Sequence, residues 1–135
     1  MELKRPMLAV ACEDTSMISY PVRVSAKLDG IRMLVKDGIC YSRSMKPIPS
    51  EAVQEKFGKS EFNGLDGELV YGEVNASNVF NLTTSFCMSK KVPEALDSSN
   101  INYYVFDKWD SDEVWVERYR ESRRMCDATQ NVLTH

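Results

Sequence analysis

Apolar and polar positions along the chain separate into short, distinct patterns. VRVSAK at 22–27 alternates apolar and polar, and IRMLV at 31–35 is richly apolar, so both stretches are predicted as strand. KDGI at 36–39 supplies the Asp-Gly pair of a tight hairpin turn, and ICYSRS then runs back as the partner strand. Pro47 and Pro49 end that strand, because proline cannot donate to a ladder. Ser50 is placed to N-cap a short helix in EAVQEKFGK. GLDGELVYG at 64–72 is a strand with glycines at both ends and one inside. NASNVFNLTTSFCMSKKVP is predicted to become helical near Ser77 and to stop before Pro93. The aromatic and β-branched INYYVFDKW, 101–109, is the clearest strand. From Ser111 on, DEVWVERYRESRRMC reads as a helix with acids in its first turn and arginines in its last, as the helix dipole favours. The closing DATQNVLTH looks polar and frayed. Antiparallel hairpins with helices between them predict an α+β class, and 135 residues suit one domain with a modest core.

Composition narrows the chemistry. Hydrophobic residues at 43% and charged residues at 27% are ordinary for a soluble globular chain, and no apolar run approaches a membrane span, so no membrane partner is expected. The apolar patch Met7–Cys12 is followed at once by Glu13 and Asp14, which rejects a secretion signal. Cys12, Cys40, Cys87 and Cys126 are scattered without a C-x-x-C pair and read as reduced thiols of a cytosolic protein. The single histidine, His135, removes histidine-based catalysis from consideration and leaves such work to Lys, Asp, Glu or Ser. A net charge of −3 does not advertise a nucleic-acid binder, although Arg118, Arg120, Arg123 and Arg124 cluster in sequence.

Four small constellations stand out. Lys27 and Asp29 are two apart in a predicted strand, so their side chains leave one face, and Gly30 lets the backbone bend or a ligand approach. By itself K-x-D is an exposed ion pair worth almost nothing, or else a lysine nucleophile in a cleft. LDGEL, 65–69, sets Asp66 and Glu68 on one face; alone it could be a turn with a charged edge. YYVFD, 103–107, turns one aromatic set toward a core. SRSMKP, 42–47, brings Arg43 and Lys46 close enough to hold phosphates or to solvate a turn.

Taken in order, K-x-D-G-x-R, S-R, D-G-E-L and an aromatic–Phe-Asp strand resemble the first four motifs of the covalent nucleotidyltransferases. These are the ATP-dependent DNA ligases, the RNA ligases and the mRNA capping enzymes. RPMLA, SRSMKPIPS, NVFNLTTSFCM and YYVFDKWDSDE look like segments of the minimal DNA ligases of viruses and phages, and the resemblance covers nearly all of 5–125. It implies an α+β, antiparallel-sheet-rich nucleotidyltransferase adenylation domain, ATP-grasp-like, over residues 1–135. It implies ATP as AMP donor and Mg²⁺ or Mn²⁺ as the metal. Lys27 would attack the α-phosphate, Asp29 would assist it and the metal, and Arg32 and Arg43 would hold ribose and phosphates. Glu68 would contact the ribose or a metal, and Phe106 would stack on the adenine. Ser42, Arg43, Ser44, Lys46, Thr83 and Thr84 lie where such ligases touch the DNA backbone. Nicked duplex DNA is the implied partner, in the cytosol, or in the host cytosol for a phage protein.

The later Glu-Gly and Lys-x-Lys motifs of the family, and its OB-fold domain, are not among these residues, so the adenylation domain is expected to be incomplete. Three readings then stand open, one of them an unrelated small α+β module whose motifs coincide by chance. Another is sealing of nicks with a second chain that carries the remaining motifs and OB-fold. The third is a remnant that binds a nucleotide, a nick or a partner, covering its open sheet edge as a homo-oligomer.

Overall fold

The computed structural model describes residue 2, residues 5–127 and residues 129–135. Five strands form one mixed sheet: β1 (Ile31–Lys36), β2 (Ile39–Tyr41), β3 (Leu65–Tyr71), β4 (Ile101–Lys108) and β5 (Val132–Thr134). Their order is β2-β1-β3-β4-β5, antiparallel throughout except for the parallel β4–β5 pair. The predicted hairpin between β1 and β2 is present. Asp37 (φ 52°) and Gly38 (φ 73°) both take the left-handed backbone that this turn requires.

Three α-helices follow the sequence pattern with shifted ends. In α1 (Glu51–Phe57) the Ser50 hydroxyl accepts from the Val53 N–H at 3.2 Å, which satisfies one of the helix's free donors. Helix α2 (Val79–Cys87) begins two residues after the predicted Ser77 start. Helix α3 (Trp115–Cys126) begins later than the predicted Ser111, so Asp112 and Glu113 precede it and Glu117 is the acid of its first turn. Arg123 and Arg124 occupy the last turn as expected.

One face of the sheet is the core. Met33, Val35, Leu65, Leu69, Ile101, Tyr103 and Val105 pack there with Val53 and Phe57 of α1 and Phe86 and Cys87 of α2. Tyr103 is fully buried and donates its hydroxyl to the Met33 carbonyl at 2.9 Å. A side chain at Gly67 would stand 2.2 Å from the Tyr104 carbonyl, so the glycine inside LDGEL is what lets β4 lie this close to β3. Burial pushes the Cys40 and Cys87 thiols up to about 12, which keeps them as unreactive core groups. All four cysteines are free, and Cys12 is exposed.

Two predicted features are corrected. The closing residues are not frayed: Val132 is buried in the core and β5 runs beside β4, with α3 as the crossover between them. Three residues are too few for a readable period, and polar neighbours hid them. Residues 22–27 are not a strand. From Ile18 to Gly30 the chain holds no regular element apart from isolated bends, because it has no ladder partner. No helix of the described residues is long and apolar enough to cross a membrane.

Candidate active site

The second face of the sheet carries most of the candidate site residues. Strand alternation puts Arg32 of β1, Asp66 and Glu68 of β3, and Tyr104 and Phe106 of β4 on this side, opposite the core set. Arg32 stands directly across from Glu68, and Glu68 from Tyr104. The register then slips. Asp66 pairs with Asp107 while Gly67 pairs with Val105, so Phe106 is an extra residue in a β-bulge. Simple alternation would separate the faces of Phe106 and Asp107. The bulge re-aims the strand at this point, as bulges beside functional sites do.

Arg32 and Asp66 form the centre of the arrangement. The Arg32 Nε donates to Asp66 Oδ1 and Nη2 to Asp66 Oδ2, each at 2.7 Å, and Nη2 also reaches the Met7 carbonyl at 3.0 Å. The same guanidinium lies 4.8 Å from the centroid of the Phe106 ring. Asp66 is only 4% exposed. Burial pushes its carboxyl above the ordinary value, while the Arg32 fork works against that rise. Burial also acts to lower Arg32, but the bonds and charge of Asp66 outweigh it and hold the guanidinium above its ordinary value. Glu68 is half-buried, and burial raises its carboxyl; Arg32 and Lys27 pull it down, and Asp66 and Asp29 push it up.

Lys27 and Asp29 are exposed and lie on the segment that leads into β1. Gly30 ends that segment. A Cβ there would be 2.0 Å from the Leu69 carbonyl, so only glycine lets the chain pass against β3 between the lysine and Arg32. A groove of about 1180 Å³ opens above this face. Its walls include Lys27, Asp29, Arg32, Glu68 and Phe106, with Ser42, Arg43 and Ser44 along the rim. The rim loop is tight: Met45 N donates to the Ser42 carbonyl at 2.8 Å, Met45 has φ 61°, and the Ser42 and Ser44 hydroxyls are 3.1 Å apart.

The remaining predicted residues fall elsewhere. Lys46 is exposed and outside the groove wall. Thr83 is fully buried; its hydroxyl accepts from Tyr71 N at 2.9 Å and donates to the Val79 carbonyl at 2.7 Å. It ties α2 to β3, and its expected contact with a DNA backbone is corrected, since no surface is exposed and its one O–H is already donated to Val79. The Thr84 hydroxyl is buried without a partner among the described residues. The arginine cluster of α3 is largely engaged. Arg118 holds Asp107 through Nε at 2.8 Å and Nη2 at 3.3 Å, and Arg120 pairs with Glu117.

Sequence reasoning missed three participants. Asp66 was seen in LDGEL but given no partner, because its tie to Arg32 depends on strand register. Asp107 comes beside Asp66 only through the bulge. His135 lines the groove although it lies 109 positions from Ala26, whose carbonyl it contacts. Only the unexpected β5 could have announced it.

The groove's two carboxylates, Asp29 and Glu68, are hard oxygen donors. Among the described residues no cluster of three or more metal-binding side chains exists. Two carboxylates fit Mg²⁺, which typically keeps waters and takes further oxygens from substrate phosphates. They do not make a closed cage for a tightly held ion.

Residues 6–130 match the model of the ATP-dependent DNA ligase domain. The chain belongs to this family. No curated protein matches the sequence. Among solved structures, this ligase domain is similar to a Chlorella virus DNA ligase–adenylate, with a TM-score of 0.74, 25% identity, and coverage of 98% of this chain and 48% of the viral one. A second structure of the Chlorella virus ligase–adenylate gives a TM-score of 0.70 at 24% identity, over 96% and 48%. A study of DNA binding by Lig E DNA ligases with a minimal scaffold supplies a third, with a TM-score of 0.57, 26% identity, and coverage of 80% and 41%. The ligase domain thus has the α+β nucleotidyltransferase fold expected from its motifs, and spans about half the length of the ligases it matches.

Proposed function

We propose that this ligase domain carries the nucleotide-transfer site of an ATP-dependent DNA ligase, with Lys27 as the side chain that accepts AMP. The observation that carries the reading is the convergence of Lys27, Asp29, Arg32, Glu68 and Phe106 on one groove, from segments far apart in sequence. In the proposed first step the free amine of Lys27 attacks the α-phosphorus of ATP. A P–N bond forms, the bond to the bridging oxygen breaks, pyrophosphate leaves with the electron pair, and the nitrogen gives up one proton to water. A 5′-phosphate oxygen at a nick then attacks the same phosphorus and releases Lys27. Finally the 3′-hydroxyl attacks the activated 5′-phosphate, joining the strand and releasing AMP.

The chain's own residues supply position and charge for these steps. Phe106 offers a flat apolar face to a purine. Arg32, fixed by Asp66, and Arg43 on the rim bring positive charge toward transferring phosphates. Glu68 faces the groove where a ribose hydroxyl can donate to it. A Mg²⁺ held at Asp29 and Glu68 would withdraw charge from the phosphate oxygens. Ser42, Arg43 and Ser44 form the rim that nicked duplex DNA would meet. Because the matched ligases are about twice as long, sealing is proposed to need further ligase segments, supplied on the same or a second chain.

Incubation with α-labelled ATP and Mg²⁺, with and without those segments, tests the reading on denaturing gels. Label that stays with the wild-type protein and is lost in Lys27→Ala supports it. Equal label in both proteins, or none in either under every condition, rejects it.

A further inference from the structure

The segment that presents Lys27 has little to hold it. Among the described residues, positions 19–29 make no backbone-to-backbone hydrogen bond. An unpaired segment of this kind opens easily, yet a nucleophile must be aimed within fractions of an ångström. Side chains from the far end of the chain take over that task. At one end of the segment the Arg23 guanidinium bonds the Tyr119 hydroxyl and lies 3.9 Å over that ring and 5.8 Å from the Trp115 ring. At the other end Gly30 is pressed against the Leu69 carbonyl. Between them, among the described residues, stands a single hydrogen-bonded tie, from His135 Nε2 to the Ala26 carbonyl at 2.5 Å.

We infer that His135 is a positioning residue for the nucleophile: its ring N–H holds the backbone immediately before Lys27 and so aims the amine into the groove. The inference rests on the proposed role of Lys27. A carbonyl can only accept, so the proton of this bond is on Nε2. The ring is itself well placed to act as an anchor. Its main-chain N–H donates to the Val105 carbonyl at 2.9 Å, which continues the β4–β5 pairing by one residue. Its plane meets the Tyr104 ring edge-on, with centroids 6.4 Å apart at 81°. Tyr104 stands across from Glu68 on the site face. His135 therefore transmits the rigidity of the sheet to a segment that has no ladder of its own. Loosening it should leave nucleotide binding on Phe106 and Arg32 nearly unchanged while spoiling the line of attack.

The test uses the full chain and two variants. His135→Phe keeps a ring against Tyr104 without the donor, and His135→Gln restores an N–H near the position of Nε2. Trypsin cleavage after Lys27 reads the tether without any need for activity, with cleavage after Lys59 as the internal reference. In His135→Phe this ratio should rise about fivefold, and in His135→Gln it should stay near wild type. The rate of AMP transfer to Lys27 at saturating ATP should fall about tenfold in His135→Phe and recover to within about threefold in His135→Gln, with KM for ATP moving less than about twofold. An unchanged cleavage ratio in His135→Phe, or a His135→Gln variant as impaired as His135→Phe, overturns the inference. If wild type takes no AMP at all while the cleavage ratios behave as stated, the proposed function of Lys27 fails and the tether stands.

Discussion

Arg32 grips Asp66 through two 2.7 Å hydrogen bonds while its guanidinium lies 4.8 Å from the centre of the Phe106 ring. One side chain thus links three strands: β1 supplies the arginine, β3 the carboxylate and β4 the aromatic ring. The pair is poorly exposed, with side-chain exposures of 19% and 5%. Removing one partner leaves the other uncompensated. Asp66→Ala is expected to destabilise the fold by about 3 kcal/mol, measured by urea unfolding, and to abolish AMP transfer. Arg32→Lys keeps the charge but cannot make the parallel pair, so it should lose most activity as well. A stable, active Arg32→Lys protein would show that the fork geometry is unimportant.

Phe106 follows Tyr104 by two positions and so shares its face toward the groove, at the point where the bulge interrupts the β3–β4 pairing. If its ring is the platform for adenine, Phe106→Ala should raise the KM for ATP by roughly tenfold or more, in line with about 1–3 kcal/mol for stacking one base on an aromatic ring. Phe106→Trp should lose much less. Steady-state AMP transfer over a range of ATP concentrations separates the two, and equal KM values for the alanine variant and wild type would remove Phe106 from the nucleotide site.

Glu68 carries a stability cost in the folded chain. Burial raises its carboxyl in the folded chain, so the charged form is less favourable folded than unfolded. Stability from this group is greatest at low pH, where the carboxyl is protonated in both states, and declines as pH rises through the unfolded value toward the higher folded one. Glu68→Gln should therefore melt at or above the wild-type temperature at pH 7, with that advantage vanishing below about pH 4. The same variant should transfer AMP poorly. A Glu68→Gln protein less stable than wild type at pH 7 would contradict this sign.

Gly30 has no room for a methyl group, since a Cβ would be 2.0 Å from the Leu69 carbonyl. Backbone must move to admit one, and the backbone nearest is the joint between Lys27 and β1. Gly30→Ala is expected to lower AMP transfer at least about a hundredfold, as a misplacement of about 1 Å of a reacting group does. Circular dichroism should still report the sheet. Full activity in this variant would mean that the approach of the two chains is looser than the geometry requires.

Much of this site was legible because its parts are local. Asp37-Gly38 announced the β1–β2 turn, Ser50 announced α1, and the strand LDGEL carried its acids on alternate positions. The ordered motifs then gave Lys27, Asp29, Arg32, Arg43, Glu68 and Phe106 a common resemblance, and the structure gathers them in one groove. What stayed hidden depends on pairing between distant segments. The bulge at Phe106 is a register slip between β3 and β4, which no single strand displays. Thr83 looked available in an ambiguous helix, but its hydroxyl is spent on Tyr71 and Val79. Residues 22–27 alternate as a strand does, yet without a neighbour they form none. One histidine at the far end offers no spacing to read, and a three-residue strand carries His135 to the carbonyl of Ala26, the residue before the lysine.

The most direct measurement follows the AMP itself. The protein is incubated with α-labelled ATP and Mg²⁺, with the further ligase segments supplied, then digested and the modified peptide sequenced; a parallel sample is chased with nicked duplex DNA. AMP on Lys27 that moves to the 5′-phosphate at the nick is the predicted result. AMP on another residue, or on Lys27 but never transferred to the nick, would contradict it.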